Sequence, residues 1–94
     1  MDTFPYRALG GVTGSKTCAA ATYTQFEIQL PNSVPSTNYY VVATLSSGGA
    51  GWGDGFMWKI LSKTTSSFKI EVWNPHGAAV TGVAFNWIML YKTS

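Results

Sequence analysis

The alternation of apolar and polar side chains is clearest in the last third of the chain. Residues 68–73 read FKIEVW, with apolar side chains at the even positions and Lys, Glu and Trp at the odd ones. A period of two is typical of a β-strand with one buried face. Burying the even positions turns Trp73 outward, toward solvent or a partner, so this strand is predicted to present a large exposed ring.

Other stretches of the chain also have strand character, because they alternate or are rich in aromatic and β-branched residues. These stretches are residues 24–30, 39–45, 56–61 and 83–91. No stretch has the 3.6-residue period of an amphipathic helix. The chain is therefore predicted to be built from strands alone.

Turn-forming residues separate these strands. Residues 31–38 are rich in Pro, Asn and Ser, and residues 46–55 contain five glycines. Short strands between such segments indicate a sandwich or a barrel. We predict an all-β fold, a single antiparallel β-sandwich of five to six or more strands, in residues 17–94. Residues 1–16 have weak periodicity and several turn formers, and they are predicted to be an N-terminal arm or linker, with at most one short strand.

The last predicted strand is apolar on both of its faces. Phe, Trp, Met and Tyr occupy the odd positions from 85 to 91, and Ala, Ile and Leu occupy positions 84, 88 and 90. A two-layer sandwich buries only one face of a strand in its own core. The other face is predicted to pack against further copies of the chain in a closed symmetric oligomer.

The loop that follows Trp73 contains the only histidine of the chain. A neutral imidazole offers one hydrogen-bond donor and one acceptor, which suits the hydroxyl or acetamido edge of a sugar. In this interpretation Trp73 stacks on the apolar face of the sugar, and Asn74 and His76 bond its hydroxyls. A solvated His that helps to form a turn is the alternative, and the residues alone leave both open.

The glycine-rich segment supplies two further candidate ligand-binding residues, Trp52 and Asp54. Glycine permits backbone conformations that other residues avoid, so this segment is predicted to be adaptable. It is expected to close over the His76 loop, with Trp52 as a second stacking platform. Asp54 would accept hydrogen bonds from a pair of hydroxyls, and its alternative role is that of a turn residue.

The order of motifs in residues 56–92 resembles the H-type lectin domain. Residues 64–68 lead into a strand, the loop with an aromatic residue and His76 follows, and Asn-Trp-Ile at 86–88 lies in the closing strand. The resemblance implies a β-sandwich that binds a cell-surface glycan and assembles as a homotrimer. It also implies that His76 and its loop contribute to the sugar site.

Within this family, the chain resembles the domains at the tips of phage tail fibres more than the animal lectins. The animal lectins have an Arg near the start of the preceding strand, and no Arg lies near Gly55 and Phe56 here. The resemblance implies a receptor-binding protein located in the virion, or otherwise outside the cell.

Composition argues against two classes of partner. Charged residues make up 11% of the chain, the formal net charge is +2, and the six basic residues form no run. A nucleic-acid-binding domain has a denser basic patch, so no nucleic-acid partner is expected. No apolar run approaches the ~20 residues of a membrane span, so no membrane insertion is expected.

The chain offers little for catalysis or metal binding. It has one His, four carboxylates and no Ser in a nucleophile-elbow motif, so we expect no enzyme, no catalytic residues and no cofactor. His76 and Cys18 are too few for a zinc site, and no metal is expected. A single Cys forms no intrachain disulfide. Cys18 is predicted to be a buried packing residue, with a free thiol or an interchain link as alternatives.

The sequence thus predicts a carbohydrate- or receptor-binding module at the tip of a fibre. The alternative is a structural trimerisation or capping domain without its own ligand. The two differ in whether Trp52, Asp54, Trp73 and His76 converge on a pocket. A protein-binding adhesin head, the third interpretation, would present a flat apolar patch instead.

Overall fold

The computed structural model describes residues 6–47 and 55–92, and the regular elements within these ranges are all β-strands. They are β1 (Tyr6–Val12), β2 (Lys16–Cys18), β3 (Thr22–Gln29), β4 (Tyr40–Ser47), β5 (Met57–Leu61), β6 (Ser67–Asn74) and β7 (Val80–Lys92). The strands form two antiparallel sheets. The predicted all-β antiparallel sandwich is therefore confirmed. Trp52 and Asp54 lie outside the described residues.

The first sheet is organised around β7 and is called the β7 sheet below. β4 pairs along one edge of β7, and β1 and β2 follow one another along the opposite edge. The two are separated at Thr13, whose hydroxyl accepts a hydrogen bond from the Phe85 N–H at 3.0 Å in place of a backbone carbonyl. The 13 residues of β7 are thus long enough to pair with two shorter strands in succession.

The expected N-terminal arm is in part a strand of this sheet. All seven residues of β1 pair with β7, from Tyr6 opposite Lys92 to Val12 opposite Asn86. The sequence of β1 hides this role because Gly10 and Gly11 interrupt its alternation. Its pairing depends on β7, a partner about 80 residues away in the chain, and not on a local pattern.

The second sheet has the strand order β3-β6-β5 and is called the β6 sheet below. Burial in β6 alternates along the whole strand, and Phe68, Ile70 and Val72 are fully buried. The alternation predicted for residues 68–73 is therefore confirmed, and so is the outward position of Trp73. β5 and β3 pair with the two edges of β6.

The hydrophobic core lies between the two sheets and is rich in aromatic rings. Phe26 meets Phe85 with ring centroids 5.2 Å apart, and Phe68 meets Trp87 at 5.3 Å, both edge to face. Such contacts add about 0.5–1.5 kcal/mol each to the burial of the rings. Because each pair joins one sheet to the other, these rings fix how the sheets face each other.

The closing strand β7 has the two apolar faces that the sequence predicts. Phe85 and Met89 on its inner side are fully buried, whereas Ile88 on its outer side is 50% exposed. Val42 of β4 lies opposite Ile88 and is exposed as well. One face of β7 therefore completes the core, and the other remains on the surface of the single chain.

Candidate functional site

The outward ring of Trp73 is flanked by apolar side chains on both neighbouring strands. In the register of the β6 sheet, Tyr23 on β3 and Met57 on β5 lie opposite Trp73. The rings of Tyr23 and Trp73 are tilted at 49°, with centroids 5.0 Å apart. Side chains that oppose each other across an antiparallel pair point to the same face. The three residues therefore form one row across the outer face of this sheet.

The next row of the same face is polar and charged. Gln25, Glu71 and Lys59 oppose one another in register. The Gln25 side-chain amide donates a hydrogen bond to Glu71 Oε2 at 3.0 Å, and Lys59 Nζ lies 3.7 Å from Glu71 Oε1. The Glu71 side chain is 19% exposed and that of Lys59 is 68% exposed. Glu71 is thus held in place by two neighbours while the ammonium group of Lys59 remains in solvent.

The two rows enclose a shallow pocket of about 170 Å³. It is lined by Tyr23, Met57, Trp58, Lys59, Glu71 and Trp73. We call this set the β6-face site. It places aromatic rings beside an acceptor carboxylate and a donor ammonium group, so it can contact a ligand that has an apolar face and polar edges.

Asn74 does not belong to this site, although the sequence predicted that it would bond a ligand. Its side chain is fully buried. Its amide nitrogen lies 3.1–3.2 Å from the carbonyl oxygens of Cys18, Ala19 and Ala78, and its Oδ1 accepts the His76 N–H at 2.9 Å. Asn74 follows Trp73 and therefore points to the opposite face, into the core. We correct its role to that of a buried link between β2 and the turn after β6.

His76 lies in this turn with its ring half-buried. The ring centroid is 5.8 Å from that of Phe56, which is buried. The His76 carbonyl accepts a hydrogen bond from the Ala21 N–H at 3.0 Å. His76 is not among the residues that line the β6-face site. The described contacts thus relate His76 to Phe56 and the turn, whereas the ring of Trp73 contacts Tyr23.

The described end of the glycine-rich segment lies against the His76 turn. Gly55 has a φ of 82°, and a Cβ on it would come within 3.3 Å of the Pro75 ring. Glycine is required here for its left-handed conformation and for this close approach. The sequence placed this segment next to the His76 loop, and Gly55 and Phe56 do lie there. Trp52 and Asp54 fall outside the described residues.

Sequence reasoning did not assign Tyr23, Met57, Lys59 or Glu71 to a site. The alternation of residues 68–73 places Glu71 on the outer face together with Trp73, but it does not show which side chains lie beside it. The additional information is the register of β3 and β5 against β6, which sets Tyr23 and Met57 beside Trp73. Pairs of aromatic and opposite-charge residues at matched positions on neighbouring strands are the signal that points to such a face.

Burial affects two titratable groups away from this site. Desolvation raises the pKa of the Cys18 thiol above its ordinary value, although a hydrogen bond to Thr24 and the charge of Lys16 act in the opposite direction. Desolvation also raises the pKa of Tyr39, whose hydroxyl lies 2.8 Å from the carbonyl oxygens of Thr64 and Ser67. Cys18 is completely buried, in agreement with its predicted packing role.

The described part of the chain, residues 6–47 and 55–92, contains no cluster of three or more His, Cys, Asp or Glu side chains that could hold a metal ion. It also contains no helix with the length and apolar character needed to cross a membrane. No protein-family model matches the chain, and neither a curated protein nor a solved structure is significantly similar to it.

Proposed function

We propose that the protein is a carbohydrate-binding, receptor-recognising module whose ligand site is the β6-face site. The observation that carries this proposal is the outward Trp73–Tyr23 ring pair beside the Glu71–Lys59 pair. A sugar ring has an apolar face of C–H groups and a rim of hydroxyls. The aromatic row contacts the apolar face, and the charged row bonds the hydroxyls.

The energetics of this site favour weak binding to a single sugar. Stacking on the rings buries apolar area at about 25 cal/mol per Å², and each hydrogen bond to the rim adds about 0.5–1.5 kcal/mol net, or more where the partner is charged. The pocket is open and shallow, so a ligand stays partly hydrated. These terms lead to dissociation constants of roughly 1 mM for one site.

Assembly of identical sites would raise this affinity. A second site on the same particle binds at a high effective concentration, which strengthens attachment without any new contact. The resemblance to the tips of phage tail fibres supports a homotrimer that displays three sites toward a cell-surface glycan. We propose a virion or extracellular location on the same ground.

A glycan array probed with the purified protein tests the function directly. The wild-type protein is expected to bind a subset of glycans, and Trp73→Ala is expected to lose more than about tenfold in apparent affinity because the stacking platform is removed. Tyr40→Ala removes an exposed aromatic ring from the other sheet and is the matched control, compared with Trp73→Ala in a titration with a soluble monovalent glycan, where assembly does not raise the apparent affinity. Equal binding by wild type and Trp73→Ala would place the site elsewhere.

His76→Ala distinguishes the β6-face site from the His76 loop, which is the site that the sequence predicts. The His76 ring contacts Phe56 and does not line the pocket. We therefore expect His76→Ala to retain binding within about threefold of wild type, which corresponds to less than one hydrogen bond. Loss of binding by folded His76→Ala with retention by Trp73→Ala would favour the His76 loop as the site.

A structural trimerisation or capping domain is the second candidate function. It is favoured by the apolar outer face of the β7 sheet, which exposes Val12, Tyr40, Val42 and Ile88. We call this set the β7 face. A protein that assembles through the β7 face but binds no glycan on the array would be such a domain.

A further inference from the structure

A cleft of about 430 Å³ opens where the edges of the two sheets meet. One side is formed by residues 11–16, at the junction of β1 and β2, and the other by residues 26–29 of β3. Trp87 of β7 also lines it. The cleft shares no lining residue with the β6-face site, so it requires a separate explanation.

The β3 side of the cleft is an open strand edge. The Leu30 N–H donates to the Ser66 carbonyl at 2.9 Å and continues the ladder to β6. Alternate residues of an antiparallel strand direct their backbone groups to opposite edges. The even residues of β3 therefore direct their backbone N–H and C=O groups to β6. The odd residues, Gln25, Glu27 and Gln29, direct theirs to the open edge. This edge is a template for a further strand.

Lys16 partly fills the place of the missing strand. Its ammonium nitrogen lies 2.7 Å from the Gln25 carbonyl oxygen and 5.4 Å from the centroid of the Phe26 ring. The side chain thus satisfies the outward acceptor at one end of the cleft. Further along the edge, the outward N–H and C=O groups of Glu27 and Gln29 face the cleft and make no hydrogen bond to another described residue.

The inner wall of the cleft is apolar, with one available donor. Trp87 is half-buried, and its indole N–H makes no hydrogen bond to another described residue. Gly11 leaves this ring uncovered, since a Cβ there would lie 3.3 Å from the indole Nε1 and Cζ2 atoms. Phe26 and Ile28 complete the apolar wall.

Glu27 gives the outer rim of the cleft its charge preference. Its carboxylate is exposed and makes no ion pair with any described residue, whereas Glu71 is paired with Lys59. Lys69 opposes Glu27 on the β6 side, and an added strand would approach Glu27 from the other side. In a strand added to β3, the side chain next to Glu27 lies on the same outer face. A basic side chain fits that position, and its neighbours along the strand turn inward toward Trp87.

We propose that this cleft binds a short extended peptide of alternating apolar and basic residues, which adds a strand to the open edge of β3. Its backbone pairs with the outward groups of Glu27 and Gln29. One apolar side chain packs against Trp87 and Ile28, and the basic side chain lies beside Glu27. Main-chain pairing supplies affinity, and the alternate side chains supply specificity.

The test follows the ¹⁵N-labelled 94-residue chain by NMR while the blocked peptide acetyl-Thr-Val-Lys-Val-Thr-amide is added. Binding is expected to shift the amide signals of Glu27 and Gln29 and the indole N–H signal of Trp87, and to leave the indole signal of Trp73 in place. A peptide with Glu in place of Lys is expected to bind roughly two- to fivefold more weakly, the effect of one exposed ion pair. N-methylation of the central residue should abolish binding.

Two variants with the same change in net charge locate the effect. Glu27→Gln is expected to remove the preference for the Lys peptide, whereas Ala79→Lys, in the turn between β6 and β7, should keep it. Both positions are exposed, so neither change is expected to unfold the protein. The proposal is wrong if the Lys peptide at millimolar concentration leaves the Trp87 signal unchanged, or if the N-methylated peptide binds equally well. A shift of this signal by N-acetylgalactosamine alone would make the cleft a sugar site instead.

Discussion

The two outer faces of the sandwich expose similar apolar side chains in different surroundings. On the outer face of the β6 sheet, called the β6 face, Tyr23 and Met57 are 60% and 65% exposed. On the β7 face, Tyr40 and Val42 are 64% and 61% exposed. The β6 face has Glu71 and its charged and amide neighbours in the adjacent row. On the β7 face, the rows around Val42 carry aliphatic and small or uncharged polar residues.

This difference decides what kind of partner each face can hold. Charged and amide groups at fixed positions orient a small polar ligand, and they would be costly to bury beneath a flat apolar surface. A face whose central rows are uncharged loses little free energy when another protein surface covers it, and it gains about 25 cal/mol per Å² of apolar area buried. We therefore assign ligand binding to the β6 face and self-association to the β7 face.

The largest effect is expected from a charge in the middle of the β7 face. Val42→Glu places a carboxylate opposite Ile88, where a symmetric oligomer would bury it beside its copies. The mass in size exclusion with light scattering should fall from a multiple of 10.2 kDa to that of a single chain. The melting of the monomer itself should change little, because Val42 is exposed in the single chain.

Met57→Glu is the matched change on the β6 face. Met57 has nearly the same exposed fraction as Val42, and like Val42 it lies on an edge strand of its sheet. It is expected to preserve the oligomer and to weaken glycan binding. If Met57→Glu dissociates the oligomer and Val42→Glu does not, the roles of the two faces are reversed. A wild-type protein that is monomeric at micromolar concentration would remove the self-association proposal altogether.

The second largest effect is expected from Asn74, the buried residue next to Trp73, and it is a loss of stability. Asn74→Ala deletes a buried amide that bonds the carbonyls of Cys18, Ala19 and Ala78 and the N–H of His76. Leaving such groups without partners should lower the free energy of unfolding by about 3 kcal/mol. Chemical denaturation measures this loss.

Asn74→Asp separates the donor role of the side-chain amide from its acceptor role. It keeps an acceptor for the His76 N–H but places a carboxylate against the three carbonyl oxygens, so it should destabilise at least as much as Asn74→Ala. If Asn74→Ala instead kept the stability of wild type and abolished glycan binding, the role predicted for Asn74 from the sequence would be restored.

The sequence contained enough information to predict the strands and the outward side of β6. Strict alternation at 68–73 identified both the buried residues and Trp73, and the two apolar faces of β7 followed from its composition. These are local properties, since alternation depends only on neighbouring residues. The sequence allowed at most one short strand in residues 1–16 and did not indicate the seven-residue strand β1, because its glycines give no pattern and its pairing partner is distant in the chain.

The candidate site was only partly predictable because it depends on register. Trp73 and Tyr23 are 50 residues apart, and nothing local indicates that they face each other. Asn74 shows the opposite difficulty. As a polar residue next to a loop it suggested ligand binding, but the alternation that turns Trp73 outward also turns Asn74 inward, where the carbonyls of β2 and the turn require a donor.

The smallest effect is expected from a change that touches neither face. Cys18 is completely buried in the core, so Cys18→Ala should cost on the order of 1 kcal/mol and leave oligomer mass and glycan binding unchanged. The mass should also be the same with and without reductant. A reductant-dependent mass would make Cys18 an interchain link instead of a packing residue.

The cost of Cys18→Ala should also depend on pH. Because burial raises the pKa of the thiol, the folded state holds its proton more tightly than the unfolded state does. This contribution to stability is complete below the ordinary pKa of 9.0 and is lost as the pH rises through the higher pKa of the folded state. Urea unfolding under reductant at pH 8 and pH 10 should therefore show a smaller difference between wild type and Cys18→Ala at the higher pH. An equal difference at both values would mean that the thiol is not desolvated by folding.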